Sequence, residues 1–422
     1  MLFEPAAVPR AASDSVEDTG DAARTWRLAH GATQGAVAAC LALRSARGRQ
    51  AVVARDVPAS VRSGLVAAGL TAHWLAPELD PIAGVAHGVT PAALDAALDD
   101  APGARAAIVV APAFHGAVPD VAGLAAVAHC HGAALVVEQS RGPHFGRHPE
   151  LPAHAIAAGA DLVVAGDLLR QGPQAERWLP AAAIDRAVLL CEPAAAAQEP
   201  PAGPGERALG ALVRSVAAAR AQLTGAPGVR VLGPELAGAP GVHSFDPLRL
   251  TADLHDSGRD ARTVAAVLRE RAAIALELVT DRLLVPAPAD AGRFAAALVE
   301  TLWTVAPASR PVVSLPPARP GPSICTPRAA WLAPQERLPP DAAIGRVAAE
   351  TLTPYPPGVP AVLPGERLDV EVVSTLCAIV AEGGVVQGSP DGLGTFAVVA
   401  GSHGGASRRP ASPRRAAAPR WN

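Results

Sequence analysis

One stretch near the start of the chain combines residue types that could hold a phosphate. Gly31-Ala32-Thr33-Gln34-Gly35 opens a segment with a helix-forming pattern. Backbone amides at a helix N-terminus bind phosphate well, and a threonine hydroxyl adds a further donor. A glycine–threonine start is also an ordinary way to cap a helix. Ala32, Thr33 and Gln34 are therefore candidate phosphate-binding residues, although the pattern alone is weakly specific.

Three further candidates follow short apolar runs. Glu138, His115 and His144 all come shortly after segments that have the pattern of buried strands. Ligands of open parallel sheets bind beside the carboxyl ends of the strands. The histidines could then act as acids or bases, and Glu138 could pair with a cation. A structural interpretation stays open for each: loop histidines without a role, and a glutamate paired with Arg141.

The trio His129-Cys130-His131 superficially suggests a metal site. It lies at the end of a predicted helix, where a histidine is favoured by the helix dipole. The five cysteines are scattered and odd in number, which fits neither a disulfide framework nor a CxxC metal site. We therefore expect no metal, and a reducing cytoplasm as the location.

The elements that must position these residues alternate in the first half of the chain. Apolar runs at 51–54, 107–110, 134–137 and 161–164 are bounded by turns or polar residues, as is typical of strands buried on both faces. Helix candidates lie between them at 59–69, 92–99 and 121–131. Strand–helix alternation predicts an α/β fold with a mostly parallel, doubly wound sheet.

The pattern changes after about residue 190. We predict a flexible N-terminal segment at 1–24, a large α/β domain at 25–190, a linker at 191–205, a smaller α+β domain at 206–398 and a disordered basic tail at 399–422. The smaller domain should start with a helix at 206–223. Strands should follow at 229–232, 249–254, 274–279 and 282–285.

Composition limits the function classes. A chain of 422 residues predicts two or more domains. The net charge is −3, with no large single-sign block before the tail, so nucleic-acid binding has no electrostatic support. The sequence shows neither a secretory signal nor an apolar run long enough to span a membrane.

Several motifs, taken in order, resemble the ornithine/lysine/arginine decarboxylase family of pyridoxal-phosphate (PLP) enzymes. The 31–35 loop, Ala111-Pro112-Ala113-Phe114-His115-Gly116, the run 135–146 and the run 159–170 resemble its large domain. Thr353-Pro354-Tyr355-Pro356-Pro357-Gly358 and Leu363-Pro364-Gly365-Glu366 resemble its C-terminal domain. The resemblance covers about residues 26–395 and implies a PLP-transferase-like large domain with a smaller C-terminal α+β domain.

The resemblance fails at the cofactor positions. The chain contains no lysine, and Leu169 stands where the family has the lysine that holds PLP as a Schiff base. Arginine is not a usable substitute, because its guanidinium stays protonated. Leu168 replaces the neighbouring histidine, and Glu138 replaces the aspartate that pairs with the ring nitrogen.

Two further departures concern the cofactor ring. Ser140 replaces the alanine that packs on the ring, and Pro58 and Ala59 replace the His-Lys pair that supplies the stacking histidine. By resemblance, the vestigial cofactor residues would be Ala32, Thr33, Gln34, Glu138, Ser140 and His144. Covalent PLP binding is impossible without lysine, and the chain is expected to have no catalytic residue of that chemistry.

Two functions remain open. The first is a non-catalytic binding or regulatory protein, acting as a homodimer or as a heterodimer with an intact relative. The second is an enzyme that uses the old pocket with non-covalently held PLP or another phosphorylated ligand. A closed apolar environment around Leu168 and Leu169 would favour the first, and phosphate binding at Thr33 the second.

Overall fold

A computed structural model of the protein describes residues 22–191, 205–307, 321–355 and 357–401. We refer to 22–191 as the large-sheet unit, to 205–307 as the second unit and to the two ranges from 321 to 401 as the C-terminal unit. The predicted segment 1–24 lies mostly outside the described residues, and the first strand begins at Arg24.

The large-sheet unit contains one seven-stranded sheet. Its strands are β1 (Arg24–Arg27), β2 (Gln50–Ala54), β3 (Thr71–Leu75), β4 (Ala106–Val110), β6 (Ala134–Glu138), β7 (Leu162–Ala165) and β8 (Leu168–Gln171), while β5 (Ala117–Val118) lies outside it. Their order is β1-β8-β7-β6-β4-β2-β3. The five from β3 to β7 are parallel, and β8 and β1 extend the sheet antiparallel. The predicted α/β class with a mostly parallel sheet is confirmed.

Helices cover this sheet: α1 (Gly31–Arg47), α2 (Ala59–Ala68), α3 (Pro91–Asp100), α4 (Val121–Cys130) and α5 (Ala181–Cys191). Side-chain caps define the starts of two of them. The Thr90 hydroxyl accepts a hydrogen bond from the Ala93 amide before α3, and the Asp120 carboxylate accepts one from the Gly123 amide before α4. Such caps satisfy amides that a helix leaves without partners. The four predicted strands and three predicted helices are confirmed.

Three strands of the sheet were not predicted. The sequences of β1 (RTWR), β3 (TAHWL) and β8 (LLRQ) mix polar and apolar residues. They therefore lack the apolar runs that reveal buried parallel strands. β7 and β8 form a hairpin whose turn is Gly166-Asp167. The segment that resembles the family's lysine-bearing run thus becomes an antiparallel ladder.

The second unit is α+β, as predicted. It contains α6 (Glu206–Thr224), β9 (Arg230–Leu232), β10 (Ser244–Phe245), β11 (Thr251–Asp253), α7 (Ala261–Ala272), β12 (Leu276–Val279), β13 (Leu283–Pro286) and α8 (Ala291–Thr304). Four strands form an antiparallel sheet in the order β12-β13-β11-β9. Its helices bury Val216, Phe294 and Leu298 in one hydrophobic cluster. Strand β10 instead pairs with β5 of the large-sheet unit.

The C-terminal unit has its own hydrophobic cluster, which includes Leu352, Leu376 and Phe396. Its elements are α9 (Pro327–Leu332), β14 (Gln335–Leu338), α10 (Pro340–Ala343), β15 (Thr353–Tyr355), α11 (Val370–Ala381), β16 (Val385–Gln387) and β17 (Phe396–Val399). The range 206–398, predicted as one domain, therefore has one main hydrophobic cluster in the second unit and another in the C-terminal unit. Most of the predicted linker (192–204) and tail (402–422) lies outside the described residues. Within the described ranges, no helix is both long and apolar enough to cross a bilayer.

Candidate functional site

A cavity of about 210 Å³ lies beyond the carboxyl ends of the parallel strands. The large-sheet unit contributes Asp56 after β2, Phe114 and His115 after β4, and Arg141 after β6. Parallel strands bring their carboxyl ends to one edge of the sheet, which explains why residues so distant in sequence meet here. The second unit adds Leu278, Thr280 and Leu283, and the C-terminal unit adds Tyr355, Pro357, Gly358 and Gln387.

Three sets of polar contacts, the first buried and the other two partly buried, hold these units together around the cavity. The Arg55 guanidinium donates to both carboxylate oxygens of Glu366 in the C-terminal unit, and its Nε donates to the Pro360 carbonyl at 2.6 Å. His144 Nε2 lies 2.9 Å from Asp246 Oδ2 in the second unit. Arg249 Nη2 donates to the Arg141 carbonyl at 3.0 Å. The backbone that carries Arg141 is thereby fixed against the second unit.

Arg141 presents its charge to the cavity without an ion-pair partner in the described part of the chain. Its guanidinium carbon lies 4.9 Å from the centre of the Phe114 ring, a cation–π contact. The suggested pairing of Arg141 with Glu138 is wrong. No ion pair within 4.0 Å joins the two side chains.

Asp56 is the carboxylate of the cavity. Burial raises the pKa of Asp56 to about 6, while the nearby Arg141 guanidinium lowers it and the Glu138 carboxylate raises it. Glu138 at the end of β6 and Arg141 after it therefore both act electrostatically on Asp56 after β2. Among the described residues Asp56 forms no ion pair within 4.0 Å. The cavity thus contains one carboxyl group and one guanidinium that do not neutralise each other by contact.

His115 is a neutral member of the same cavity. Its side chain is buried, and burial together with the charge of His87 lowers its pKa to about 3. The rings of His115 and His87 lie 5.5 Å apart. His115 Nε2 has no hydrogen-bond partner among the described residues. A neutral imidazole in this position can donate or accept a hydrogen bond but carries no charge at neutral pH.

None of the six predicted cofactor residues lines this cavity. Thr33 is exposed in the first turn of α1, and the buried Gln34 accepts a hydrogen bond from the His30 amide. Glu138 is buried, and its Oε1 accepts from the Ser140 amide at 3.2 Å. His144 is engaged by Asp246, so it serves the contact between units.

The position of the missing lysine is closed. Leu169 is 0% exposed and pairs with Val164 of β7 on one side and Trp26 of β1 on the other. It belongs to the main hydrophobic cluster of the large-sheet unit. PLP would require an amine at a site open to the cofactor. The residues present therefore do not fit the Schiff-base form of this cofactor.

The histidines that flank Cys130 have separate partners. His129 Nε2 lies 2.8 Å from Asp161 Oδ2, and the His129 ring stacks on Trp178 with the ring centres 5.4 Å apart. His131 Nε2 lies 2.7 Å from Asp95 Oδ1. Across the described ranges, no three His, Cys, Asp or Glu side chains come together as a metal site.

Comparison with known sequences identifies the family. The profile of the Orn/Lys/Arg decarboxylase major domain matches residues 1–171, and that of the Orn/Lys/Arg decarboxylase C-terminal domain matches residues 327–380. The chain belongs to the Orn/Lys/Arg decarboxylase family. An arginine decarboxylase of Bacillus subtilis (strain 168) is 27% identical over 419 residues, covering 92% of this chain and 85% of the relative. One from Halalkalibacterium halodurans is 26% identical over 392 residues, covering 86% and 79%.

Solved structures of two lysine decarboxylases show the same fold. A lysine decarboxylase of Francisella novicida has a TM-score of 0.66 at 15% identity, covering 90% of this chain and 70% of that chain. Lysine decarboxylase A of Pseudomonas aeruginosa has a TM-score of 0.64 at 15% identity, covering 92% and 71%. The predicted family membership and fold class are both confirmed.

Sequence reasoning missed the cavity residues Asp56, Thr280, Leu283 and Gln387, and it included Tyr355 only as part of the proline-rich motif. Asp56 lies two residues before Pro58, where the chain departs from the family. Neither pattern showed that Asp56 and Tyr355 would line one cavity.

Proposed function

We propose that this chain is a non-catalytic member of the Orn/Lys/Arg decarboxylase family with a binding or regulatory role. The complete burial of Leu169 carries this proposal. A decarboxylase of this class needs an amine at that position, both to hold the cofactor and to move protons. Here the position holds a hydrocarbon side chain paired on both sides within a sheet.

The surrounding substitutions support the same proposal. A member that had lost only its lysine would keep the residues that stack on the ring and pair with its nitrogen. In this chain Pro58, Ala59 and Glu138 occupy those positions as well. The units are nonetheless joined by polar contacts, including Arg55 with Glu366 and His144 with Asp246. The scaffold is thus well connected, and the substituted positions are the ones that would serve the cofactor.

The role is that of a subunit or a sensor in the cytoplasm. As a subunit the chain forms a homodimer, or a heterodimer with an intact relative whose activity it modulates. As a sensor it binds a small molecule without converting it. The cavity lined by Asp56 and Arg141 gives such a molecule a place to bind.

The test is a PLP titration of the purified chain, followed by absorbance and thermal melting, with a decarboxylation assay on arginine, lysine and ornithine. The arginine decarboxylase of Bacillus subtilis (strain 168) serves as the positive control. We expect no aldimine absorbance and no carbon dioxide release by this chain. Saturable PLP binding with a raised melting temperature and turnover would overturn the proposal and support the enzyme that holds PLP non-covalently.

A further inference from the structure

We propose that the cavity between the three units binds a small zwitterion with an uncharged apolar body, such as an α-amino acid with an apolar side chain. This rests on the proposed function, because it assigns a ligand to a chain that binds without converting. Such a ligand differs in the charge of its side chain from the basic amino acids after which the family is named.

The two charged groups of the cavity call for a ligand with two opposite charges. Arg141 and Asp56 both line the cavity, and neither forms an ion pair within the described parts of the chain. A carboxylate on the ligand would pair with the guanidinium, and an ammonium would pair with the Asp56 carboxylate. Charge-assisted hydrogen bonds of this kind are stronger than neutral ones.

The remaining walls are neutral and largely apolar. Leu278, Leu283 and Pro357 contribute apolar surface to the cavity. His115 is neutral, and its buried Nε2 lacks a hydrogen-bond partner among the described residues. An unpaired buried polar atom costs free energy that a ligand can recover by bonding to it.

The cavity suits a small ligand, and its charges argue against a basic amino acid. Its volume of about 210 Å³ is below the range typical of drug-sized ligands. Of the described residues lining it, Asp56 is the one carboxylate, and the α-ammonium would use it. A second cation on the side chain would then have no carboxylate partner among these lining residues. Burial of a charge without a partner is unfavourable.

Leucine tests the inference, because two of its analogues each lack one charge. 3-Methylbutylamine is leucine without the carboxylate, and 4-methylpentanoate is leucine without the ammonium. Calorimetry on the purified full chain should show leucine binding at least about tenfold more tightly than either analogue, and more tightly than arginine. Leucine should also raise the melting temperature, since the ligand contacts all three units.

Two variants each remove one of the two charges of the cavity, and a third variant is the control. Arg141→Gln should weaken leucine binding at least about tenfold while leaving 3-methylbutylamine unaffected, and Asp56→Asn should weaken leucine but not 4-methylpentanoate. Arg49→Gln, at an exposed arginine away from the cavity, should bind leucine as the unchanged chain does. The ligand series on the unchanged chain decides the matter if a variant does not fold.

Tighter binding of arginine than of leucine would overturn the inference, and so would equal binding of leucine and its two analogues. Failure of every ligand to bind would overturn it as well, while the PLP titration and the decarboxylation assay would still test the proposed function independently. Conversion of any amino acid by this chain would instead overturn the proposed function.

Discussion

Arg55 and Glu366 form a buried bidentate ion pair that joins the carboxyl end of β2 to the C-terminal unit, with Arg55 Nη2 2.7 Å from Glu366 Oε2. The same guanidinium also donates to the carbonyls of Pro360 and Ala361. Arg55 immediately precedes Asp56, so this pair positions one wall of the cavity. The proline-rich motif that ends in Glu366 therefore also docks the C-terminal unit onto the carboxyl end of β2.

Removal of one partner of this pair should destabilise the chain strongly. Glu366→Leu leaves the Arg55 charge buried without its partner, which costs about 3–5 kcal/mol in the free energy of unfolding. Denaturant titration followed by circular dichroism measures the loss. The double variant Arg55→Met/Glu366→Leu should lose less than Glu366→Leu alone, because no unpaired charge remains. A double variant that is less stable than the single one would contradict this account of the pair.

Restoration of the lysine alone should not restore decarboxylation. Leu169→Lys places an ammonium in the core between Trp26 and Val164, where it has no anionic partner among the residues that pair with it. We expect a loss of about 3 kcal/mol or more in stability and no carbon dioxide release from arginine in the presence of PLP. Leu169→Met, which roughly conserves volume, should cost less than about 1.5 kcal/mol. Measurable decarboxylation by Leu169→Lys would contradict the proposed function.

The pH dependence of stability should carry the signature of Asp56. Burial raises the pKa of this carboxyl to about 6 in the folded state, whereas an unfolded aspartate titrates near about 3.9. Between these values the folded chain binds more protons than the unfolded chain. The contribution of Asp56 to the free energy of unfolding is therefore full below about pH 4 and falls as the pH rises through about 6.

Urea unfolding from about pH 4 to 7 measures this contribution as the difference in the free energy of unfolding between the unchanged protein and its variant. Relative to Asp56→Asn, the unchanged chain should lose stability as the pH rises across this window. Asp100→Asn, which removes an exposed carboxyl, controls for the change in net charge. A difference that is flat, or that grows with pH, would show that Asp56 is not buried as described.

Gly116 should tolerate no side chain. Its φ is +109°, and a Cβ built on it would lie 2.7 Å from the Arg249 Cβ and 2.9 Å from the Phe245 ring. Gly116→Ala should destabilise by about 2–3 kcal/mol, since backbone strain and a clash with the second unit add. Gly132→Ala is the matched control, with φ +68° and open space around the new methyl group, and should cost about 1 kcal/mol from the left-handed backbone alone. Equal melting temperatures for the two variants would refute the close approach at Gly116.

The elements that the sequence predicts correctly are those whose apolar pattern matches the burial of their side chains. Residues 107–110 and 134–137 are apolar because both faces of those strands are covered, and the pattern is visible without a structure. The strands β1 and β8 lie at the antiparallel edge and mix arginine with leucine and tryptophan, so their pattern is ambiguous. The division of 206–398 into two main hydrophobic clusters depends on tertiary packing, which periodicity does not encode.

The sequence predicts the loss of the cofactor chemistry, through the departures from the family motifs, but it does not predict the geometry of the site. Leu169 reveals the loss of the lysine from the sequence alone, and the structure adds that the position is closed. The cavity could not be predicted, because Asp56, Arg141, Leu283 and Tyr355 meet only after three units have docked. His144 and Glu138 come at or after the carboxyl end of a buried strand, where pocket residues are expected. Their hydrogen bonds are instead with Asp246 and the Ser140 amide, respectively.

The hairpin of β7 and β8 also determines how slowly the backbone amides of this segment exchange with solvent. Residues 168–171 are paired to β7 on one side and β1 on the other, and Leu169 to Gln171 are buried. Amide protons in such a segment exchange with solvent only when a large part of the structure opens. Deuterium should therefore enter this segment among the last in the chain. The position that a catalytic relative would reserve for a reacting amine has become, in this protein, a site of slow exchange.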